Sequence, residues 1–462
     1  MTNPQHSLEA LQLLQDGSVA LAEVEGNGIK IDLDYLERAI TKTESKIARI
    51  KRSIEESEVM DAWRKTYGQR TKLSSRSQLG HVLFEVLGFE DVGRTATGGY
   101  STTEDSLSRV DHQFVRQYLR LRKYEKAVGT YLKNLQREAV NGIVRPFFNL
   151  HIVRTYRSSS DSPNFQNIPS RNPRMAQLIR RCFVARPGRV LVEIDYSSIE
   201  VRISACYHRD PAMIHYLSDS TTDMHRDSAM DCFLLPRTEV TKQIRYVAKN
   251  KFVFPQFYGD WYIDCARNLW NDIEKLGLRT ASGIPLKKHL VSKGIRELGD
   301  LDPKQTRPGH FDHHIRQIEK QFWRKKFPVY ARWKRDWYAS YQRTGWFRTL
   351  TGFVCQGFMA RNDVLNYGVQ GTAFHCLLWS LIQLVRSIRR KGMETLVVGQ
   401  IHDSIVADVP VAELDDYLRL AKRIMIQRLR KHWDWIVVPI EIEAEVTPEG
   451  GSWAEKEEVE IP

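Results

Sequence analysis

Two aspartates open the chemical reading. Asp195 closes a short β-branched run at residues 189–195 (RVLVEID), and Asp403 lies between two further runs in residues 395–409 (TLVVGQIHDSIVADV). The first reads as a buried strand and the second as two strands joined by a tight turn. If these strands share one sheet, the two carboxylates converge at one edge. Hard oxygen pairs suit Mg²⁺, which keeps waters and takes further ligands from substrate phosphates. Two ions so held can activate an attacking hydroxyl and stabilise a leaving phosphate oxygen. Strand-end aspartates are also common as solvated turn residues, so the pair alone leaves both readings open.

A helical stretch after Val240 carries Arg245 and Lys249 four residues apart, hence on one face. Such a pair can hold a triphosphate or be a solvated basic face. Phe254 and Tyr258 repeat the spacing as an aromatic stripe. Rings there can pack a core, or can meet a nucleotide's sugar and base beside cations for its phosphates.

The elements that must position these groups follow from texture. Residues 7–140 read as charge-rich helices, with amphipathic stretches at 36–58 and 113–137 and a polar turn-rich segment at 92–103 between them. Residues 151–171 (HIVRTYRSSSDSPNFQNIPSR) are loop-like, and helical patterns run from 200 to 338, broken between Gly277 and Gly309. Residues 437–446 (VVPIEIEAEV) alternate like one more strand. The plan is helical, α/β, helical, α/β: a chain that leaves one sheet and returns to it. No repeat of fixed period is present.

The 462 residues exceed one ordinary domain, and the 42% apolar content suffices for sizeable cores. Lys and Arg number 69 against 56 Asp and Glu, and the net +13 favours polyanions such as nucleic acid. Six scattered cysteines without a CxxC pair give no zinc signature and fit a reducing compartment. The apolar stretch at 373–385 is too short and polar to span a bilayer, and MTNPQHSLEA has no leader pattern.

The ordered motifs R-S-S-S-D…N-F-Q-N-I-P, D-Y-S-S-I-E, D-M-H, R-x-x-x-K…F-x-x-x-Y-G, V-Q-G-T-A and Q-I-H-D resemble the family A DNA polymerases, the DNA polymerase I type, over nearly the whole chain. The resemblance implies an α/β (α+β) right-hand fold with an antiparallel palm sheet. Residues 1–140 would form a helical thumb with a short lead, 141–225 and 345–462 the two parts of the palm, and 226–344 helical fingers with an insertion around 265–310. It implies Asp195, Asp403 and the Tyr196 carbonyl as ligands of two Mg²⁺ ions, with Mn²⁺ as a substitute. Glu200 would be the steric gate against a ribose 2′-hydroxyl. Arg245, Lys249 and His225 would hold the triphosphate, with Phe254 and Tyr258 facing the nucleotide. Arg157, Gln166, Asn167, Asn366, Gln370 and His402 would contact primer–template near the nascent pair, and Lys126 the duplex from the thumb.

The implied activity is template-directed extension of a DNA primer 3′-hydroxyl with dNTPs, releasing pyrophosphate. Implied partners are primer–template DNA, dNTPs and a separate exonuclease or replisome factor, with a monomer in a cytoplasm as the working form. A single-subunit RNA polymerase is the nearest rival, but those enzymes carry D-G-S-x-x-G where this chain has D-Y-S-S-I-E. A catalytically dead DNA-binding derivative is the other, and the intact Asp195, Arg245, Lys249 and Asp403 argue against it.

Departures from the family pattern sharpen the expectations. The acid that commonly follows the motif-C aspartate is Ser404 here, so the metal set rests on Asp195 and Asp403. Counting from Lys249 puts the sugar-contacting ring at Val253, whereas counting back from Tyr258-Gly259 puts it at Phe254. A five-residue offset turns a ring roughly 140° from the cationic face of a regular helix. Together with Pro255, which clashes with the carbonyl four residues earlier, this predicts a kink or a single π-type turn between Lys249 and Pro255. Some phage-encoded members carry a similar K-N-x-x-V-F-P-x-F-Y-G, which favours a viral origin. Residues 260–327 exceed the usual family length; LKKHLVSKGIREL predicts an added helix. His310, Asp312, His313 and His314 read as structural, since adjacent histidines cannot share one helical face. Because LAEVEGNGIKIDLDYL begins so near Met1, no proofreading nuclease domain is expected within this chain, and Glu23 and Glu25 read as structural.

Overall fold

The computed structural model describes residues 4–95, 97–169 and 172–462; Ala96, Ser170 and Arg171, in two of the polar segments noted above, lie outside it. The centre is a five-stranded antiparallel sheet made of β1 (Arg189–Tyr196), β2 (Leu396–Ile401), β3 (Ser404–Pro410), β4 (Ile442–Val446) and β5 (Glu457–Val459), in the order β5-β4-β1-β3-β2. The two α/β stretches of the sequence do meet in one sheet. β1 alternates as a two-faced strand. Val190, Val192, Ile194 and Tyr196 are buried on one side, and Leu191, Glu193 and Asp195 point to the other.

The helices that matter are α1 (Leu8–Asn27), α2 (Leu33–Glu55), α3 (Gln113–Lys126), α4 (Ile199–His208), α5 (Met224–Phe233), α6 (Lys242–Ala248), α7 (Phe254–Tyr258), α8 (Leu286–Ser292), α9 (Pro328–Thr344) and α10 (Arg361–Lys391). α10 backs the sheet: the Tyr196 hydroxyl shares a hydrogen bond of 2.7 Å with Ser380 Oγ on it. By length and composition α10 could cross a membrane, but 89% of its apolar window is buried inside the protein. It is the core helix of this domain, and it stops at Gly392, whose φ of 65° a side chain would strain.

Among the described residues three separate apolar cores form, the third a small one around Tyr341, Phe347 and Val364. One runs from the sheet through the middle helices; the second, with Ile54, Trp63, Leu83, Phe114 and Leu121, belongs to residues 54–121 alone. The first helix packs with the first of these cores. α1 lies on the sheet: Asn27 donates to the Val397 carbonyl at 2.9 Å, and Gly17 meets Leu378 so closely that a Cβ would come within 2.9 Å. Arg186 clamps the junction, donating to the Asn27 carbonyl at 2.8 Å and to buried Asp408 on β3 at 2.6 Å.

Other differences have local causes. The helix expected over 113–137 widens into a π turn at Ala127–Leu132 before resuming at Lys133–Glu138. The strand expected from 437 begins only at Ile442, because Pro439 has no N–H to donate and its carbonyl is taken by Arg202 at 2.6 Å. Where an added helix is expected over LKKHLVSKGIREL, α8 covers only Leu286–Ser292 and ends before Gly294. β5, with the sequence EEV, carries no strand pattern and pairs only because β4 is beside it.

The Arg186–Asp408 clamp gives a test. Arg186→Met leaves the Asp408 carboxylate buried without its cation and is expected to cost about 3–5 kcal/mol. Urea unfolding measures the loss; a change under 1 kcal/mol would show that the clamp contributes little.

Candidate active site

The sheet edge is built first. β2 and β3 are joined by two residues, His402 and Asp403, and His402 takes a left-handed φ of 49° to make the turn. Ser404 sits directly opposite Asp195, and the Tyr196 amide donates to the Asp403 carbonyl at 3.2 Å. Both aspartates therefore reach the same edge. Gln400 holds the turn from below, donating to the His402 carbonyl at 2.6 Å while accepting from Ser158 Oγ at 2.6 Å and Gln166 Nε2 at 2.8 Å.

Charge accumulates at this edge. Lost hydration and the neighbouring Asp403, Glu193 and Glu443 carboxylates push Asp195 up to about 7. Lost hydration and Glu200 raise Asp403 to about 6, partly offset by Arg157. Crowded carboxylates of this kind fit a divalent cation. Among the described residues no group of three His, Cys, Asp or Glu side chains is arranged to hold a metal. The residues at this edge that could hold a cation are Asp195 and Asp403, with the Tyr196 carbonyl beside them. Ser404 is itself engaged, donating to Glu193 at 2.9 Å, and Glu193 pairs with Lys456 and accepts from Trp453 Nε1 at 2.8 Å.

The cationic side is a broken helix. α6 passes into a π turn at Lys249–Val253 and then into α7, with Pro255 in its first turn. The expected bulge is present: Val253 is buried in the core, while the Phe254 ring stands beneath Lys249 Nζ at 5.1 Å and edge-on to His225 at 5.6 Å. Arg245 reaches the same place, donating through Nε to Asp223 at 2.6 Å; Asp223 also caps α5 by accepting from the His225 and Arg226 amides. Burial, Lys249 and Arg245 push His225 down to about 4, and burial and Arg245 lower Lys249. Three basic side chains crowded in one place suit a polyanionic ligand.

A chain of contacts crosses the cleft. Arg157 donates to Glu200 at 3.3 Å, the Tyr258 hydroxyl donates to the same carboxylate, and Asn366 Nδ2 donates to the Tyr258 carbonyl at 3.2 Å. Glu200, Phe254, Tyr258, Asn366 and Gln370 line one cavity beneath this chain. Burial and Glu200 raise the Tyr258 hydroxyl's pKa, and Asp403 adds to the rise. Lys126 and Asn167 meet at a second cleft of about 460 Å³ beside the end of α3, where Tyr131 donates to the Asn167 carbonyl at 3.0 Å. His402 is exposed on the turn. The Gln166 amide nitrogen donates to Ser158 Oγ at 2.7 Å and to Gln400 Oε1 at 2.8 Å, which ties its loop to the turn.

Comparison with known proteins now bears on this arrangement. The model of DNA polymerase family A matches residues 35–275. The chain belongs to DNA polymerase family A. It is 28% identical to the DNA polymerase of Bacillus phage SP01, over 89% of this chain and 47% of that protein. It is also 28% identical to the thermostable DNA polymerase I of Thermus aquaticus, over 96% of this chain and 48% of that protein. The chain thus spans about half the length of the curated relatives it matches. A solved structure, the POL domain of Pol1 from M. smegmatis in complex with DNA primer-template and dNTP, has a TM-score of 0.73 at 24% identity, covering 96% of this chain and 70% of that one. The right-hand fold of the family A enzymes is therefore the fold of this chain.

Sequence reading missed the support behind the family A fingers helix. Gln256 on α7 is fully buried; it donates to Glu319 at 2.7 Å and accepts from Trp323 Nε1 at 2.6 Å. Its carbonyl accepts from Lys334 Nζ at 3.2 Å, and that ammonium lies 3.9 Å over the Trp323 ring. Burial and Arg361 lower Lys334 to about 7. Nothing local in F-P-Q-F-Y announces this, because the partners come from residues 319–334. In the insertion, Asp312 accepts from the Leu301 amide at 3.1 Å, His310 pairs with Glu297 at 3.0 Å, and His314 donates to the Asp231 and Cys232 carbonyls at 3.1 Å. Each is used by the fold. Glu25 likewise accepts from the Phe148 amide at 2.7 Å, and Glu23 pairs with Arg389.

Two tests follow from these facts. In metal-free buffer the raised aspartates favour the folded state below an unfolded pKa near 3.8, and that contribution is lost as pH rises through about 6 to 7. Asp403→Asn should therefore raise the melting temperature relative to wild type at pH 8, with the gap closing by pH 4; calorimetry in EDTA reads it, and an equal gap at both pH values contradicts the electrostatic account. Gln256→Leu strands Trp323 Nε1 and Glu319 and is expected to cost about 2–4 kcal/mol in denaturant unfolding.

Proposed function

We propose that this chain extends a DNA primer on a DNA template with dNTPs. The reading is carried by one arrangement: Asp195 and Asp403 at the sheet edge, with Arg245, Lys249, His225 and Phe254 gathered around the broken helix whose Tyr258 reaches Glu200 just after β1. In this reading residues 1–140 are thumb with its lead, 141–225 and 345–462 palm, and 226–344 fingers with the insertion at 265–310.

The residues divide the work. Asp195, Asp403 and the Tyr196 carbonyl would hold two divalent cations, Mg²⁺ by the hardness of the donors. When bound, the ions lower the pKa of the primer 3′-hydroxyl and offset charge on the leaving phosphate oxygen. The primer oxygen forms a bond to the α-phosphorus while the α–β bridging bond breaks, and pyrophosphate leaves. Arg245 and Lys249 supply positive charge where it develops, on a helix that the π turn aims at the cleft. Phe254 offers its face to the sugar. Glu200, held by Tyr258 and Arg157, fills the space that a 2′-hydroxyl would need. The duplex would lie along Lys126, Asn167 and His402, with Asn366 and Gln370 under the nascent pair, and its affinity should fall steeply with salt.

Primer extension with Mg²⁺ and dNTPs tests this. Wild type should extend, and Asp195→Ala and Asp403→Ala should each fall by about a thousandfold or more while still binding duplex. Extension by either variant at the wild-type rate overturns the assignment, and preference for NTPs over dNTPs turns the reading to RNA synthesis.

A further inference from the structure

Lys334 is a buried ammonium behind the fingers helix, and the transfer reaction makes no use of it. Burying such a charge is costly, so its contacts matter. Gln256 lies midway between Phe254 and Tyr258 on α7, hence on the side of the helix opposite both rings. Glu319 and Trp323 hold its side chain, and Lys334 Nζ holds its carbonyl at 3.2 Å. That carbonyl is open to a side chain because α7 stops at once: the Gly259 and Asp260 amides both go to the Pro255 carbonyl. Lys334 thus closes the helix end from α9, where a cation is favourable.

α9 is in turn fixed to the helix that carries Glu200. Buried Asp210, two residues beyond α4, accepts from the Val329 and Tyr330 amides at 3.0 Å each. The Tyr330 ring stacks on His208, the last residue of α4, at 3.9 Å. Tyr330 and Lys334 are one turn apart on α9. The contacts therefore close on themselves. They run from Glu200 along α4 to His208, through Tyr330 and Lys334 to Gln256 on α7, and from the Tyr258 hydroxyl back to Glu200. Glu200, Phe254, Tyr258 and Tyr330 line one cavity within this ring of contacts. Lys334 is the joint between α9 and α7, so it helps set how far the two aromatic rings stand from Glu200.

We propose that Lys334 is a positioning residue for nucleotide selection: by holding the end of α7 at a fixed distance from α4, it keeps Phe254 and Tyr258 close to Glu200 and narrows the space at the sugar 2′ position. The proposal rests on the polymerase reading and adds a determinant of sugar choice from behind the site. The test is single-nucleotide incorporation by the full chain with Mg²⁺, giving kcat and KM for a dNTP and for the matching NTP. Melting temperature and primer–template affinity are measured beside it. Lys334→Met keeps the stem and removes the charge. It should raise the dNTP KM about tenfold with kcat within about twofold, and cut the preference for dNTP over NTP about tenfold, with duplex affinity unchanged. Tyr258→Phe should lower the preference too, and the double variant should lose no more than the larger single loss, because both act on one wall of the cavity. Lys334→Gln retains an N–H donor and should recover part of the preference; it carries the comparison where the Met variant does not fold. A lower melting temperature with KM and sugar preference unchanged, or losses that add in the double variant, overturns the positioning role while the polymerase reading stands. Failure of wild type to extend with either nucleotide overturns that reading and this proposal with it.

Discussion

The structure depends on holding two like charges together at one sheet edge. Asp195 and Asp403 repel, and neither gains stability from the other in the free protein. Their closeness is imposed by the antiparallel register of β1 and β3, in which Asp195 faces Ser404 and the Tyr196 amide bonds the Asp403 carbonyl. A one-residue slip would turn Asp195 toward α10 and Tyr196 toward the cleft. The slip is opposed from the far side, where Val190, Val192, Ile194 and Tyr196 are buried and Tyr196 is anchored to Ser380. The apolar core thus offsets the electrostatic cost of the edge, and the long buried helix is the device through which it does so.

The same logic governs the helix across the cleft. A regular helix through Arg245 and Lys249 would leave Phe254 facing away from them, and Pro255 would clash with the turn before it. The π turn at Lys249–Val253 resolves both problems with one extra residue. A wide turn has poorer backbone geometry, and the helix beyond it is only five residues long. Its orientation has to come from tertiary contacts, and the buried Gln256, Glu319, Trp323 and Lys334 group supplies them. Placing an ammonium there is expensive, as the depressed pKa of Lys334 indicates. The return is a short helix whose two outward rings keep a fixed aim.

What was legible in the sequence was what local pattern encodes. A β-branched run ending in Asp195, a turn holding Asp403 and a five-residue mismatch before Tyr258-Gly259 each leave a trace within ten residues, and each appears in the structure where the pattern put it. The ordered motifs then gave the family. What was not legible needs a partner from elsewhere in the chain. α1 reads like its helical neighbours, yet the small Gly17 and the Asn27 side chain select the sheet. Gln166 reads as a polar loop residue, but the acceptor it satisfies, Gln400, is over two hundred residues away. Gln256 is the sharpest case, since nothing about a glutamine between aromatics announces a buried hub.

The serine at 404 is best understood through Glu193. Residues 193 and 195 share a face of β1, and Ser404 lies opposite Asp195 on that face. An acid at 404 would stand beside Asp195 and close to Glu193, adding a further carboxylate to an edge that already raises Asp195 to about 7. Serine instead donates to Glu193, and Lys456 and Trp453 take its remaining acceptor capacity, so Glu193 is held charged below its usual pKa despite burial. Glu193 therefore belongs to a neutralised set that ties β1 to the segment before β5, while the charge left facing the cleft is that of Asp195 and Asp403. The departure from the family motif is not a loss at one position but a rearrangement across two strands and the segment before β5: the acid on β1 is compensated from that segment, and the serine on β3 is the donor that makes the two compatible.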